Sequence, residues 1–175
     1  MNLSELIEKR YSCRNYADKP VDRALVEKIC KEAVKAPSAC NSQPWKIHAL
    51  FGEKKNAVAA GLTGMGLNAH AKVAPVILAL EETPARYLSR LDGLVKPNNW
   101  AKCDIGILTA HIVLLAKEYG LDTCIIGYSD QKIIKKELGT DNEVPLFITL
   151  GYAAEDAAVP AKRRKNQEEV FVVEE

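Results

Sequence analysis

Two arginines and a serine lie within five residues near the start of the chain, in Arg10-Tyr11-Ser12-Cys13-Arg14. A guanidinium group is always charged and can bind a phosphate through two parallel N–H donors, and a serine hydroxyl can add another donor. The segment therefore has the residue types of an anion-binding site. A solvent-exposed turn with surface charges accounts for the same residues equally well, so the spacing alone leaves both interpretations open.

A second basic cluster, Lys162-Arg163-Arg164-Lys165, lies near the other end of the chain. No aromatic residues are interleaved with its four charges, which makes the cluster a poor candidate for a nucleic-acid site. It is either a solvated basic tail or a second set of contacts to the anion that the first cluster could hold.

A third candidate is the segment 36–45, which reads Ala-Pro-Ser-Ala-Cys-Asn-Ser-Gln-Pro-Trp. Two prolines bracket it, and Ser38, Asn41 and Gln43 could present hydroxyl and amide groups to a flat polar ligand. Taken alone, the segment is more simply explained as a connection between a helix and a strand.

The composition limits the possible functions. The chain has 175 residues, 47% of them hydrophobic and 27% charged, which suits one globular domain over residues 1–175. A formal net charge of +1 indicates neither a nucleic-acid nor a membrane partner. Five cysteines without a CxxC pair and three scattered histidines predict free thiols, a cytoplasmic location and no metal site.

The hydrophobic periodicity predicts helices alternating with strands, which places the chain in the α+β or α/β class. We predict helices near 3–10 and at 22–35, 53–62, 104–119 and 130–138, and strands at 45–51, 75–80, 123–126 and 145–152.

Three segments do not fit a self-contained domain. The hydrophobic periodicity over 81–102 is weak, and a long irregular segment inside a compact domain often forms a lid over a binding site. The helix at 104–119 is apolar nearly all round, so a second subunit is one candidate for its cover. The run Val170-Phe171-Val172-Val173 has a strand pattern without a nearby hairpin partner, so we expect it to pair with a distant segment or with another chain.

Taken together, these motifs resemble those of the nitroreductase family of FMN-dependent enzymes. Residues 10–14 (RYSCR) resemble the family's R-x-S-x-R signature, and residues 36–45 (APSACNSQPW) are similar to its A-P-S-x-x-N-x-Q-P-W loop, the most specific of the motifs. Asn68 followed by Ala-Pro at 74–75, the segment 104–127 and the basic tail continue the match in order, so the resemblance spans nearly the whole chain.

The resemblance implies a fold and an assembly. The fold would be α+β, with a central, mainly antiparallel sheet flanked by helices. The assembly would be an intertwined homodimer with FMN at the interface. Residues 81–102 would form the lid, and residues 160–175 would supply a phosphate clamp and reach across the dimer.

The resemblance also implies which residues bind the phosphate end of FMN. Arg10 and Ser12 would contact the phosphate and ribityl region, with Tyr11 contributing mainly its backbone. Lys162 and Arg164 would close on the phosphate from the other side.

Other residues would hold the flavin ring. Arg14 would lie near N1 and O2, Asn68 would bond the pyrimidine edge, and the backbone N–H groups of Ile126 and Gly127 would face N5 and O4. Three loop residues would line the ring from the partner subunit: Pro37, Ser38 and Asn41.

The implied activity is an NAD(P)H-dependent oxidoreductase. NADH or NADPH would give a hydride to flavin N5, and the electrons would pass to a nitroaromatic, a quinone or a similar small-molecule acceptor. No side chain would act as a catalytic acid or base, because the flavin carries the chemistry. Two alternatives stay open: a flavin-dependent dehalogenase or flavin-fragmenting relative, and a non-catalytic FMN-binding regulatory protein.

Overall fold

The fold is built from short helices and four strands in one chain. The computed structural model describes residues 1–85 and 100–174, except for the side chain of Met65. The helices are α1 (Leu3–Lys9), α2 (Arg23–Ala33), α3 (Gly52–Leu62), α4 (His70–Val73), α5 (Trp100–Glu118) and α6 (Gln131–Leu138). The strands are β1 (Trp45–Leu50), β2 (Val76–Glu82), β3 (Asp122–Ile126) and β4 (Leu146–Gly151).

The four strands form one sheet in the order β1-β2-β4-β3, and every neighbouring pair is antiparallel. The registers place Ile47 opposite Leu80 and Leu78 opposite Ile148. The prediction of a central, mainly antiparallel sheet flanked by helices is therefore confirmed.

Helices cover both faces of the sheet. Alternate residues of β2 point to opposite sides: Val76, Leu78 and Leu80 pack with residues of α2 and α5, whereas Ile77 and Ala79 pack with residues of α3 and α6. Because β2 is buried on both faces, neither of its faces is lined by polar residues near the sheet centre, and residues 76–80 are all apolar.

The helix ends follow capping rules. Asp130 accepts from the N–H groups of Lys132 and Ile133 and so caps α6. At the start of the chain the cap of α1 is Asn2, which accepts from Glu5 N at 3.0 Å.

The segment 81–102, predicted as a lid, is divided by the structure. Residues 81–82 extend strand β2, and residues 100–102 belong to α5, which begins four residues earlier than predicted. Residues 83–85 belong to neither a helix nor a strand, and the remaining part of the predicted lid, 86–99, lies outside the described residues. Among the described residues, no helix is long and apolar enough to cross a membrane.

The end of the chain is exposed. A single helical turn covers Gln167–Glu169, and residues 170–173 follow without strand pairing to the rest of the described chain. Between 65% and 74% of the surface of each of these four residues is accessible. Their predicted strand is therefore not formed within one chain.

A buried carboxylate holds one end of the sheet together. Glu81 is 3% exposed and accepts from Nδ2 of Asn142 at 2.7 Å and from Oγ1 of Thr140 at 2.9 Å. Its other oxygen lies 2.5 Å from Nε2 of His48. Burial alone would raise the pKa of Glu81, but these hydrogen bonds outweigh it and lower the pKa below its ordinary value.

We expect Glu81→Gln to destabilise the protein by about 1–3 kcal/mol at neutral pH, because an amide NH2 would replace an oxygen that faces donors. A carboxylate whose pKa is lowered by folding stabilises the protein above its unfolded pKa, and this contribution is lost as the pH falls through the folded pKa. The difference between wild type and variant in urea unfolding should therefore shrink below the ordinary pKa of 4.5.

Glu143→Gln is the matched control. Its carboxylate is 57% exposed and pairs with Lys135, so its loss should change the free energy of unfolding by no more than about 1 kcal/mol. A destabilisation by Glu81→Gln that is equally large at low pH would contradict the role assigned to the carboxylate.

Candidate functional site

The first basic cluster lies in an extended segment beside the free edge of the sheet. Cys13 N donates to Thr123 O of β3 at 2.9 Å, and Ser12 pairs with Thr123 in parallel. Side chains alternate along an extended segment. Tyr11 and Cys13 are accordingly buried, whereas Ser12 is half-buried and Arg14 is exposed.

The structure brings the two basic clusters to one cavity of about 220 Å³. Arg10, Ser12 and Arg14 line one side of this cavity, with Tyr11 between them, and the tail residues 160–164 line the other. None of the described residues lining it is acidic. A concave surface with several guanidinium groups and no carboxylate is suited to an anion.

The tail is attached to the rest of the chain through Lys162. Its ammonium group donates to the carbonyl oxygens of Ile7, at 3.2 Å, and of Glu8, near the end of α1. Carbonyls at the end of a helix have no partner within the helix, and they carry partial negative charge. Lys162 therefore places the tail over the cavity, while Arg164 lines the cavity directly.

The loop predicted to face a flat ligand is strained. Cys40, Asn41 and Gln43 have φ angles of +49°, +54° and +47°. Left-handed backbone conformations are uncommon for residues other than glycine and cost free energy, so the surrounding structure must hold them. One such contact is within the loop, where Ser38 Oγ accepts from Gln43 N at 2.9 Å.

Asp104 of α5 holds the same loop from outside. Its Oδ1 accepts from Ala39 N at 3.0 Å, and the residue is only 3% exposed. No motif in the sequence predicts this contact between Asp104 and the loop. The available signal was an acidic residue in a helix that is otherwise apolar nearly all round.

Among residues 1–85 and 100–174, the loop does not line the basic cavity. Asn41 and Gln43 line a separate cavity of about 800 Å³ together with Trp45 and Lys46. Pro37 and Ser38 lie in the same loop, just before the residues that line this cavity. The loop and the basic clusters therefore line two different cavities in the described part of the chain.

The remaining candidates lie at two bends of the backbone. Asn68 has a φ of +54°, and its Nδ2 donates to Leu62 O at 3.1 Å. Ile126 ends β3, in register with Phe147 of β4, whereas Gly127 lies just beyond the strand and is exposed.

The fold and cavities define a class of protein: an antiparallel α+β domain with a basic cavity beside the edge of its sheet. The sequence model described as the nitroreductase family matches residues 7–62 and 54–152. The chain belongs to the nitroreductase family.

Three relatives illustrate the range of the similarity. The chain is 29% identical to NADH dehydrogenase of Thermus thermophilus, with 85% of each chain covered. It is 27% identical to 4-nitrobenzoate reductase of Pseudomonas putida, with 90% of this chain and 88% of the relative covered. It is 23% identical to iodotyrosine deiodinase of Haliscomenobacter hydrossis, with 97% and 87% covered.

Solved structures have the same fold. A nitroreductase family protein from Streptococcus pneumoniae TIGR4 superposes with a TM-score of 0.84 at 24% identity, covering 99% of this chain and all of that one. The FMN- and NADPH-dependent nitroreductase NfnB from Sphigopyxis sp. strain HMH superposes with a TM-score of 0.83 at 23% identity, covering all of both chains.

We expect Asp104→Ala to loosen the loop, because the N–H of Ala39 loses its acceptor. Hydrogen exchange should speed up several-fold over residues 38–43 and remain unchanged in the strands. Asp156→Ala, which removes an exposed acceptor of Asn15, is the control. Unchanged exchange in the loop would show that Asp104 does not hold it.

Proposed function

We propose that this chain is an FMN-dependent oxidoreductase that takes electrons from NADH or NADPH and reduces a nitroaromatic, a quinone or a similar small molecule. The observation that carries the proposal is the basic cavity, in which residues 10–14 and 160–164 converge although about 150 residues of chain separate them. FMN ends in a phosphate, and the guanidinium and hydroxyl groups lining this cavity have the chemistry to bind one.

Arg10 and Ser12 would hold the phosphate and the adjoining chain from the strand side, with the backbone of Tyr11 beside them. Arg164 would close on the phosphate from the tail. Lys162 would act mainly by fixing the tail to α1, because its ammonium group is occupied by helix carbonyls.

The flavin ring would extend from the phosphate along the free edge of β3. Arg14 would lie near its N1 and O2 atoms and Asn68 at its pyrimidine edge, with the backbone of Ile126 and Gly127 near N5 and O4. The bound flavin supplies the transfer of hydride and electrons, so the residues of the chain need only bind, orient and shield it.

A second copy of the chain would complete the site with Pro37, Ser38 and Asn41. The proposal of a homodimer is supported by the separation of the loop from the basic cavity within one chain. It is also supported by apolar residues that one chain leaves exposed. Ile107 on α5 is 39% exposed, and Phe171 in the tail is 69% exposed.

The protein would act in the cytoplasm, because all five cysteines are free in the structure. A flavin-dependent dehalogenation is the second candidate reaction. It is favoured by the similarity to an iodotyrosine deiodinase over nearly the whole of this chain. A comparison of turnover on a nitroaromatic and on a halogenated phenol, with the same reductant, separates the two reactions.

The central experiment is an absorbance spectrum of the purified protein, before and after NADH or NADPH under anaerobic conditions, with sedimentation of the same sample. We expect flavin bands that bleach with at least one nucleotide, on a dimer. A colourless protein that takes up no added FMN overturns the proposal. Bound FMN that neither nucleotide bleaches would favour a non-catalytic regulatory protein.

We expect Arg10→Ala and Arg164→Ala each to weaken FMN binding by about tenfold or more, because each removes a charge-assisted contact to the phosphate. Riboflavin, which has no phosphate, should bind these variants as it binds wild type. Arg23→Ala is the control, since this guanidinium lies over the ring of Phe51 instead. Equal losses for FMN and riboflavin would contradict a phosphate clamp.

We expect Arg14→Ala to lower the reduction potential of the bound flavin by about 30 mV while FMN stays bound, because a cation beside the ring favours its more negative, reduced form. Potentiometric titration against a reference dye measures the shift. An unchanged potential would place Arg14 away from the ring.

A further inference from the structure

The end of the chain is attached through the side chain of Lys162. In the tail, residues 158–174, every residue except Lys162 is exposed. Within the part of the chain that the structure describes, the hydrogen bonds of Lys162 are the only ones between the tail and earlier residues. The position of the tail therefore depends on this one side chain.

The attachment point lies next to the first basic cluster. The ammonium group of Lys162 donates to the carbonyl oxygens of Ile7 and Glu8 in the last turn of α1, just before Arg10. Hydrogen bonds from a charged donor are about twice as strong as those between neutral groups. Because α1 leads directly into residues 10–14, this contact fixes the tail relative to the arginines.

The attached tail forms one wall of the basic cavity. Residues 160–164 line the cavity opposite residues 10–14, and its volume is about 220 Å³. Sites that enclose a drug-sized molecule have about 300–1,000 Å³. The cavity therefore has room for a phosphate group and the chain next to it, but not for a nucleoside in addition.

This limit distinguishes two common flavins. FMN and FAD share the flavin ring and the ribityl chain, and they differ only beyond the first phosphate. In FMN this phosphate is terminal, whereas in FAD one of its oxygens is joined to an AMP group. In the cavity, that group would have to lie where the tail lies, so FAD can bind only if the tail moves away.

We propose that the tail acts as a strap that makes the cavity selective for a flavin with a terminal phosphate over one that carries a further nucleotide. Lys162 is then a positioning residue, which holds Arg164 beside the phosphate of FMN and keeps the tail in the path of the AMP group of FAD. The proposal rests on the proposed function, because it requires a flavin phosphate in this cavity.

Release of the tail has opposite consequences for the two flavins. FMN loses the contact from Arg164, which is no longer held in place, so it binds more weakly. FAD no longer has to break the attachment of Lys162, so its binding is unchanged or tighter. A lysine that contacts the phosphate directly would behave differently, because both flavins carry that phosphate and both would bind more weakly.

The test compares wild type with Lys162→Met, which keeps an unbranched side chain but cannot donate a hydrogen bond. Apoprotein is titrated with FMN, FAD and riboflavin by isothermal titration calorimetry. We expect wild type to bind FMN more tightly than FAD, and Lys162→Met to lower this preference by about tenfold, because FMN loses affinity and FAD does not. Riboflavin, which has no phosphate, should bind both proteins equally.

Lys9→Met is the control, because it removes an exposed charge from the end of the same helix and should leave the preference unchanged. The strap is overturned if Lys162→Met weakens FMN and FAD equally, if it changes neither, or if it weakens riboflavin as much as FMN. Equal affinities of wild type for FMN and FAD would also overturn it. A wild-type protein that binds none of the three flavins would overturn the proposed function, and the strap with it.

Discussion

The hydrogen bond from Cys13 N to Thr123 O positions the first basic cluster, residues 10–14, against the sheet. It adds the extended segment to the free edge of the sheet, and the alternation of side chains then separates its buried residues from its polar ones. Cys13 is fully buried, so the segment is also fixed by packing. Arg14 points outward because Cys13 before it points inward, so the exposure of the basic side chain is a consequence of strand pairing.

Much of this arrangement could be predicted from the sequence, because the signals were local. The apolar run of β2 and the cap at Asp130 depend on neighbouring residues alone. The convergence of the two basic clusters could be inferred only through the family resemblance, since no local pattern states which distant segments meet. The contact of Asp104 with the loop could not be predicted, because it depends on what packs against its helix.

The boundaries of the predicted lid were wrong for a related reason. Glu81 looked like part of an irregular segment, yet its carboxylate is buried among donors from β1 and from the turn after α6. A charged residue at a strand end is indistinguishable in sequence from a surface residue until its partners are known. Such partners are known only from the tertiary structure. The same holds for the start of α5, because the helix begins at Trp100, before the first residue of its hydrophobic periodicity.

The attachment of Lys162 to α1 determines how far the end of the chain can extend. The root of the tail is attached to α1, whereas the residues from 165 onward are exposed. At roughly 3.3 Å per extended residue, Phe171 can lie no more than about 20 Å from residue 165. The attachment therefore keeps the apolar residues 170–173 near the body of their own chain, and any surface that covers them must lie within this reach.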